Sequence, residues 1–448
     1  MTSIWQTAAL EAETPLSRRR FIQLAALSAA GLAAGCAVNP VTGQSQLMLV
    51  SEDQEIAIDR QNSPHQFSAD YGVCQDAALN RYLQQTGQRL AAQTHRPRMP
   101  YRFNCVNATY ANAYAFPGGS IAATRGILLT LDNEAELASL LGHELGHVNA
   151  RHTAQQMTQG TLVQALVSGL SAVAGTQGQP AGQLAGQLGM LGAGALLASY
   201  SRDNEREADA LGLRYMTAAG YGADGFVSLM DKLRAMNRHN PGAIELMFAT
   251  HPMSDERYQT AVAQVRGPYA AARRQPVFRE RYLDHTAGLR RMRGAIEAMQ
   301  KADSLMAKKR YANAAHSLQA ALRKAPDDYA ALAMMAKCQM ALHRPAEALR
   351  YAELARQAYP QEAQARYLAG FARLKQKQYE GALADFNAYA RLLPGNPNTS
   401  FFQGLSLEGM QRRSEAARAY ARYLKAGGRG DRAQYAYNRL VQWGYVKK

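Results

Sequence analysis

The sequence predicts a mainly α-helical protein with two parts, an α+β domain over residues 56–265 and a helical solenoid after it. Three observations lead to this prediction. The stretch LASLLGHELGHVNARH, which ends at His152, has apolar residues at helical spacing around two histidines. A second helical segment, ASYSRDNEREADALG, ends at Gly212 and carries carboxylates four residues apart. Beyond about Ala298 the chain repeats itself every 34 residues, as stacked helix pairs do.

The first 35 residues predict an export signal. The stretch PLSRRRFIQLAALSAAGLAAGC places three arginines before an apolar run too short to span a bilayer, and small residues before Cys36. This pattern is typical of a signal peptide over residues 1–35. LAAGC resembles a bacterial lipobox, so Cys36 is the candidate lipidation site and residues 36–55 the tether. SRRRFIQ also resembles a twin-arginine signal, which leaves folded export and the ordinary secretory route both open.

Three cysteines remain, Cys74, Cys105 and Cys338. In an oxidising compartment Cys74 and Cys105 could pair, but nothing in the sequence sets the distance between them. Two independent buried thiols fit the sequence equally well. No disulfide framework is therefore predicted.

The central motif is H-E-x-x-H, within HELGH. An α-helix advances 100° per residue, so His143 and His147 lie on one face, close enough to bind one ion. Neutral imidazoles suit zinc, and two of them supply half of a tetrahedral set. Glu144 can take a proton from water, whose pKa the ion lowers to about 7. Gly142 and Gly146 lower helix propensity, which predicts that another backbone packs closely against this helix.

A third metal ligand must come from elsewhere in the chain. Thr153 occupies the place where a short extended motif would have its third histidine. A distant glutamate is the remaining option. In the second helical segment Glu205 and Asp209 are four residues apart, so one can bind metal while the other hydrogen-bonds a ligand imidazole.

Two polar residues near these motifs are predicted to lie outside the site. His152 follows His147 by five residues, about 140° around a continuous helix, so it is expected to face away from the metal. Glu207, two residues after Glu205, is expected to point elsewhere. His152 is therefore interpreted as structural.

HELGH followed by SRDNEREADA resembles the gluzincin metalloproteases, the family of HtpX, the CAAX-processing prenyl protease and the periplasmic protease BepA. The resemblance implies a zinc-dependent metalloendopeptidase with one Zn²⁺ per chain and a small edge sheet in its α+β domain. It also implies the roles of five residues: the zinc ligands are His143, His147 and Glu205, the general base is Glu144, and the supporting carboxylate is Asp209.

Two further segments resemble the same family. NAYAFPGGSIAATRGIL, which begins at Asn112, resembles the edge strand and turn that offer backbone hydrogen bonds to an extended substrate, and Asn112 is a candidate substrate contact. THPMSDERYQTA resembles the later T-H-P segment. It makes His251 a candidate fourth zinc ligand that shuts the site until displaced, although T-H-P can also simply cap a helix. Arg257 is a candidate contact to the substrate or the transition state.

The start of the predicted mature chain, CAVNPVTGQSQLMLVSEDQE, resembles mature lipoproteins of this family. Ala37 stands where an inner-membrane retention signal would have aspartate. The resemblance therefore implies a lipoprotein held at the outer membrane of a Gram-negative bacterium and facing the periplasm, with the lipid on Cys36 as the membrane contact.

The glycine-rich segment from Gly160 to Tyr200 separates the two motifs. Its apolar runs are interrupted by Gly, Gln and Pro, and neither reaches the roughly 20 residues needed to cross a bilayer. Two interpretations stay open: a pair of core helices joined by a loop, or a lid over the zinc cleft or a membrane-touching hairpin.

Residues 266–296 mix Pro, Arg and aromatic residues without a period and are predicted to connect two domains. Residues 297–448 carry the repeats. Three sets of positions recur at intervals of 34: Ala314, Ala348, Ala382 and Ala416; Pro326, Pro360 and Pro394; and Ala302, Ala336, Gly370 and Gly404. This is the tetratricopeptide signature, and AQYAYNRLVQWG supplies a capping helix. Such solenoids bind peptides or partner proteins in a concave groove.

The formal net charge of +16 does not indicate that nucleic acid is a partner. The chain has no recognised nucleic-acid module, and the predicted periplasmic location excludes that partner. We predict a protease that hydrolyses misfolded or misassembled outer-membrane proteins, with repeats that recruit clients and contact the outer-membrane assembly machinery. The alternative is a chaperone or assembly adaptor with a latent zinc site. A membrane-embedded prenyl protease is disfavoured, because no later segment is long enough to span the bilayer.

Overall fold

The computed structural model describes residues 36–161, 199–239 and 241–446. The predicted signal peptide lies outside the described residues, and so do residues 162–198 of the glycine-rich segment, whose two interpretations the structure therefore does not address. Among the described helices, none combines the length and the apolar character that a bilayer crossing requires.

The first domain combines short strands with longer helices. Its strands are β1 Cys36–Val38, β2 Ser45–Leu47, β3 Arg102–Val106, β4 Ala113–Ala115 and β5 Ser120–Thr124. Its helices are α1 Glu52–Ala69, α2 Ala77–Ala91, α3 Arg125–Leu128, α4 Glu134–Asn149, α5 Arg202–Ala218, α6 Asp224–His239, α7 Pro241–Thr250 and α8 Asp255–Arg266. Residues 152–161 are helical as well.

The second domain is a stack of helix pairs. A 3₁₀ turn at Ala270–Arg274 and two short helices, α9 Arg279–His285 and α10 Ala287–Arg291, lead into it. The paired helices are α11 Arg293–Ala307, α12 Tyr311–Lys324, α13 Tyr329–Ala341, α14 Pro345–Ala358, α15 Gln364–Lys375, α16 Tyr379–Leu392, α17 Pro397–Gly409 and α18 Arg413–Lys425. The helix α19 Gly430–Gln442 follows them. The predicted fold class, mainly helical with a small sheet before a repeat solenoid, is confirmed.

The three-stranded sheet has the order β3-β5-β4. Strand β5 is the central strand, parallel to β3 and antiparallel to β4. Strand β4 is therefore an edge strand, with one row of backbone N–H and C=O groups not paired within this sheet. This edge borders a cavity that His251 also lines.

Helix α4 lies in the centre of the first domain, and all of its residues are buried. Asn133 caps it by accepting a hydrogen bond from the backbone N–H of Glu136. Helix α5 crosses it at backbone contact. A Cβ atom on Gly142 would lie 3.0 Å from the carbonyl oxygen of Gly212, and one on Gly146 would lie 2.9 Å from the Cα of Ala208. The close approach predicted from the two glycines is confirmed.

The first turn of α1 is joined to the rest of the first domain by buried ion pairs. Helix α1 begins at Glu52, ahead of the predicted boundary between residues 55 and 56, because Ser51 and Gln54 form a capping box. Glu55 is fully buried and contacts Arg96 at 2.7 Å and Arg151 at 3.1 Å. The end of the predicted tether is thus part of the folded domain.

In the repeat domain, the small residues predicted at helix crossings are buried. Ala302 and Ala336 have no exposed surface. A Cβ on Gly370 would lie 2.9 Å from the ring of Phe386, so only glycine fits there. The hydrophobic core of the first domain continues into this solenoid, because Met334 packs in the same cluster as residues of α2 and α4. The two domains therefore share one core.

Candidate metal centre

Helix α4 brings two imidazole nitrogens together at the centre of the first domain. The Nε2 atoms of His143 and His147 are 3.1 Å apart. Both side chains are nearly inaccessible, with 8% and 2% of their surface exposed. Because α4 is buried all around and held by the backbone contact with α5, the two rings have little freedom to move.

Two further donors come from other elements. Glu205, in the first turn of α5, places its Oε1 atom 3.4 Å from His147 Nε2 and its Oε2 atom 3.6 Å from His143 Nε2. His251, just after α7, places Nδ1 3.0 Å from Glu205 Oε1 and 3.3 Å from His143 Nε2. The candidate ligand atoms of these four residues all lie within 4.8 Å of one another.

This donor set fits a metal ion. A tetrahedral ion with metal–nitrogen distances of about 2.0–2.1 Å separates its ligand atoms by about 3.4 Å. The five donor separations given above lie between 3.0 and 3.6 Å. Glu144 Oε1 is buried 3.8 Å from His251 Nε2 and has no hydrogen-bond partner among the described residues. An unpartnered carboxylate oxygen beside four converging donors is expected where an ion and its water belong.

The protonation states of the residues in this centre follow from their burial and from the charges of their neighbours. Burial by itself would raise the pKa of Glu205, but hydrogen bonds from His147 and His251 and the charges of His251 and His143 hold it far below its ordinary value. Burial lowers the pKa of His147 well below the usual range. A charged carboxylate and a neutral imidazole are the forms that bind metal. Burial also raises the pKa of Glu144.

Asp209 and Arg257 support the donors from the side away from the cavity. The Oδ1 atom of Asp209 lies 3.0 Å from His143 Nδ1. Arg257 donates to both oxygens of Asp209, at 2.7 and 2.8 Å, and to the carbonyl oxygen of Pro252 at 2.7 Å. Its Nη1 is also 2.6 Å from Glu205 Oε2, as an ion pair without hydrogen-bond geometry. A contact between Arg257 and substrate stays a prediction.

His152 does not face away from this centre, contrary to the sequence-based expectation. Its Nδ1 atom lies 2.9 Å from Nδ1 of His147, and its Nε2 atom lies 3.2 Å from the carboxylate of Glu207. The helical projection fails because α4 ends at Asn149 and Arg151 adopts a left-handed conformation, with φ of 60°. The turn redirects His152 toward His147, and Glu207 closes the chain of contacts.

A cavity of about 180 Å³ reaches His251, one of the four donors. Its wall includes aromatic and apolar side chains: Tyr110, Tyr114, Phe116, Tyr200 and Leu246. Asn112 also lines it, with 3% of its surface exposed, and its Oδ1 atom has no hydrogen-bond partner within the described part of the chain. The edge strand β4 runs along this wall, so the cavity has the features of a cleft for an extended peptide.

Sequence reasoning missed Tyr200. Its ring stacks on the imidazole of His147, with centroids 3.9 Å apart and an interplanar angle of 22°. Its hydroxyl lies 3.0 Å from Thr153 Oγ1, and its backbone N–H donates to the carbonyl of Thr250 beside His251. Its place in the sequence could have indicated this role, because Tyr200 lies five residues before Glu205 in the second helical segment.

Comparison with known proteins agrees with this geometry. Residues 77–265 match the model of peptidase family M48, and residues 305–370 match a tetratricopeptide repeat model. The first match contains the four donors and Glu144, and the second lies within the stack of helix pairs.

Several named proteins are similar to part of this chain. The beta-barrel assembly-enhancing protease of Yersinia pestis is 32% identical over 225 residues, 50% of this chain and 46% of its own length. The Escherichia coli K12 protein of that name is 32% identical over 42% of this chain and 39% of its own length. The metalloprotease YcaL of Escherichia coli K12 is 32% identical over 36% of this chain and 60% of its own length.

The chain thus spans about half or less of the beta-barrel assembly-enhancing proteases that it matches. The family match and the convergent donors agree on a metal-dependent peptidase, and the repeat match agrees with the helical stack. Residues 77–265 therefore match peptidase family M48 and carry the donor set of a metalloendopeptidase, residues 305–370 match a tetratricopeptide repeat, and the chain is similar to the beta-barrel assembly-enhancing proteases.

Proposed function

We propose that this protein is a zinc-dependent endopeptidase of the bacterial envelope that cleaves misfolded or misassembled outer-membrane proteins. One observation carries the proposal: three imidazoles and a carboxylate converge within 4.8 Å beside the unpartnered carboxylate oxygen of Glu144. Nitrogen-rich sets of this kind suit zinc.

His143, His147 and Glu205 would hold the ion, one per chain, and Asp209 would orient His143 through its other ring nitrogen. When bound, zinc would polarise the peptide carbonyl and make nearby water more acidic. Glu144 Oε1 would accept a proton from the attacking water and deliver it to the amide nitrogen that leaves. The raised pKa of Glu144 supports this role, because a base that must return its proton works best near the ambient pH.

The substrate would bind as an extended strand along β4. Unpaired backbone groups at that edge would hydrogen-bond the peptide, and the Oδ1 atom of Asn112 would accept one further bond from a backbone N–H. The aromatic wall of the cavity favours a bulky apolar side chain next to the scissile bond. An unfolded chain offers such segments, whereas a folded one buries them.

His251 would act as a fourth ligand that closes the resting site. Its Nδ1 atom lies 3.0 Å from Glu205 Oε1 and 3.3 Å from His143 Nε2, where it occupies the place that a substrate carbonyl or water needs. Substrate binding would then have to displace it.

The repeats would recruit clients and contact the outer-membrane assembly machinery. Tetratricopeptide solenoids bind peptides and proteins, and the names of the relatives refer to the assembly of β-barrels. The signal-like N-terminus and the lipobox at Cys36 support a periplasmic lipoprotein at the outer membrane, and the bacteria that contain the relatives are Gram-negative.

The test is cleavage of an unfolded outer-membrane protein by the wild type and by Glu144→Gln, with zinc content measured for both. We expect equal zinc and a loss of activity of about 10²–10⁴-fold, since the metal site persists without its base. Glu256→Gln, at an exposed glutamate, is the matched control and should cleave normally. Wild-type rates from Glu144→Gln would rule out the proposed mechanism.

A third variant, His251→Ala, distinguishes a gate from an essential ligand. Faster cleavage at unchanged zinc content is expected if His251 closes the site, whereas slower cleavage contradicts the gate. The proximity of His251 to the donors also favours the alternative, a chaperone or assembly adaptor with a latent zinc site. That alternative holds if the wild type, Glu144→Gln and His251→Ala all bind zinc and client but none of the three cleaves it.

A further inference from the structure

Two cysteines outside the metal centre lie opposite one another in a short β-ladder. The turn between α1 and α2 runs beside the end of β3, and Val73 and Val106 form an antiparallel bridge. The backbone N–H of Cys74 donates to the carbonyl of Cys105 at 2.7 Å, and that of Asn107 donates to Gly72 at 2.9 Å. In this register Cys74 is paired directly with Cys105.

A side-chain amide fixes this pair in place. Asn80, at the start of α2, donates from Nδ2 to the carbonyl of Cys74 at 2.6 Å. Its Oδ1 atom accepts the backbone N–H of Cys105 at 2.9 Å. The amide thus takes the place of the second backbone hydrogen bond of the pair, and both cysteine backbones are held by it.

The geometry suits a disulfide. Directly opposed residues in an antiparallel ladder have Cα atoms about 4.5–5.5 Å apart, within the range of about 4.4–6.8 Å found in disulfides. Side chains of opposed residues project to the same face of the ladder, and both cysteines belong to or pack against one core cluster. Cys338 lies apart from this pair, in α13 of the repeats, where its thiol donates to the carbonyl of Tyr311.

The turn that carries Cys74 is also where the repeats contact the peptidase domain. Gln75 donates from Nε2 to the carbonyl of Ala358 at 3.1 Å. The ammonium of Lys337 lies 4.2 Å above the ring of Tyr71. A covalent bond at this turn would therefore connect β3 of the peptidase domain to the surface that receives the solenoid.

We propose that Cys74 and Cys105 form a reversible disulfide in an oxidising compartment, which fastens the repeat-docking turn to strand β3. Both thiols lose a proton and together give two electrons to a disulfide-carrying oxidant, which leaves as two thiols. Cys74, the more exposed of the two, attacks first and forms a mixed disulfide. Cys105 then attacks the sulfur of Cys74 and releases the second thiol.

The electrostatics of the pair are consistent with this order. A hydrogen bond from the thiol of Cys105 lowers the pKa of Cys74 to about 7, and burial opposes that effect. The same contact, with burial, raises the pKa of Cys105. At neutral pH a substantial fraction of Cys74 is thus the nucleophilic thiolate.

The test uses the full chain, purified reduced and then equilibrated with oxidised glutathione, with its free thiols alkylated under denaturing conditions. Trypsin cuts after Arg60, Arg81, Arg102 and Arg125, so Cys74 and Cys105 fall in different peptides, 61–81 and 103–125. We expect these peptides to be joined in non-reduced digests and separated by reductant, while Cys338 remains alkylated. Two alkylated peptides, or glutathione adducts alone, would overturn the proposal.

Thermal unfolding tests the structural consequence. The oxidised wild type should unfold about 5–10 °C above the reduced protein, because the bond closes a long loop in the unfolded chain. Cys338→Ser, the matched control, should show the same shift, and Cys74→Ser should show none. If the two peptides are joined but the oxidised and the reduced wild type have the same Tm, the disulfide does not fasten the turn to β3. This comparison needs no variant.

Discussion

At the residue scale, the metal centre depends on partners that hold each imidazole by its second nitrogen. His143 is held by Asp209, and His147 by His152, which in turn contacts Glu207. The two supports differ, because one is a carboxylate in direct contact and the other is an imidazole ring backed by a carboxylate. Such partners select the tautomer that presents Nε2 to a metal.

We predict that Glu207→Gln lowers metal affinity without loss of the fold. The variant keeps the shape of the side chain but weakens its pull on the His152 proton, so His147 is held less firmly. Loss of such a contact typically costs 10–100-fold in affinity, measurable by zinc competition with a chromophoric chelator. Asp203→Asn, at an exposed carboxylate of the same helix, should leave the affinity unchanged. Equal affinity in all three proteins would show that His152 and Glu207 do not position His147.

At the scale of the elements, the site requires that α4 and α5 cross at backbone distance. Helix α4 carries the two histidines and α5 carries Glu205 and Asp209, so their separation sets the size of the donor set. Glycines at the crossing permit that approach. A bulkier residue at the crossing would push the two helices apart, and the donors with them, without contacting any ligand itself.

Gly212→Ala is predicted to weaken both stability and metal binding. Its new Cβ would lie 2.8 Å from the backbone nitrogen of His143, so the helices must separate. Overpacking of this kind costs about 1–3 kcal/mol of unfolding free energy, which urea denaturation measures. Gly160→Ala is the control, because its Cβ would meet no atom of the described residues within 4 Å. It should be neutral or stabilise the helix by up to about 1 kcal/mol. If Gly212→Ala and Gly160→Ala have the same stability and the same metal affinity, the close crossing does not determine metal binding.

At the scale of the whole molecule, a buried ion pair joins the two domains. Nη1 of Arg125, which follows β5, lies 2.5 Å from Oδ2 of Asp328, and their side chains are 2% and 5% exposed. Arg125 also donates twice to the carbonyl of Asn107. The attraction of Asp328 raises the pKa of Arg125 despite its burial. The charge of each partner is thus compensated only when the domains are docked.

We expect Asp328→Asn to destabilise the docked molecule by about 3–5 kcal/mol, because it leaves Arg125 charged and unpaired in the interior. Asparagine keeps an oxygen that can cap α13, so the loss would report on the pair and not on the helix. Chemical denaturation of the full chain measures it. Glu347→Gln, which breaks the exposed pair with Arg350, should cost under about 1 kcal/mol. A similar small cost for Asp328→Asn would show that the pair does not hold the domains together.

Much of this architecture could be predicted from local patterns. Three features can be recognised directly in the sequence: the spacing of His143 and His147, the capping residue Asn133 and the 34-residue period. Glycines at Gly142 and Gly146 predicted a close helix crossing, and that crossing is present. These features depend on helix geometry, which is the same in every protein.

The remaining features depend on contacts between distant segments. The position of His152 depended on one left-handed residue, Arg151, after which the helical projection no longer holds. The fold class, the repeat region and the metal-binding motifs follow from periodicity and residue chemistry, so they could be predicted before the fold was known. The pairing of Cys74 with Cys105 and the support of His147 by His152 are seen only in the folded chain. Each of those contacts requires a turn or a strand pairing whose partner no local pattern specifies.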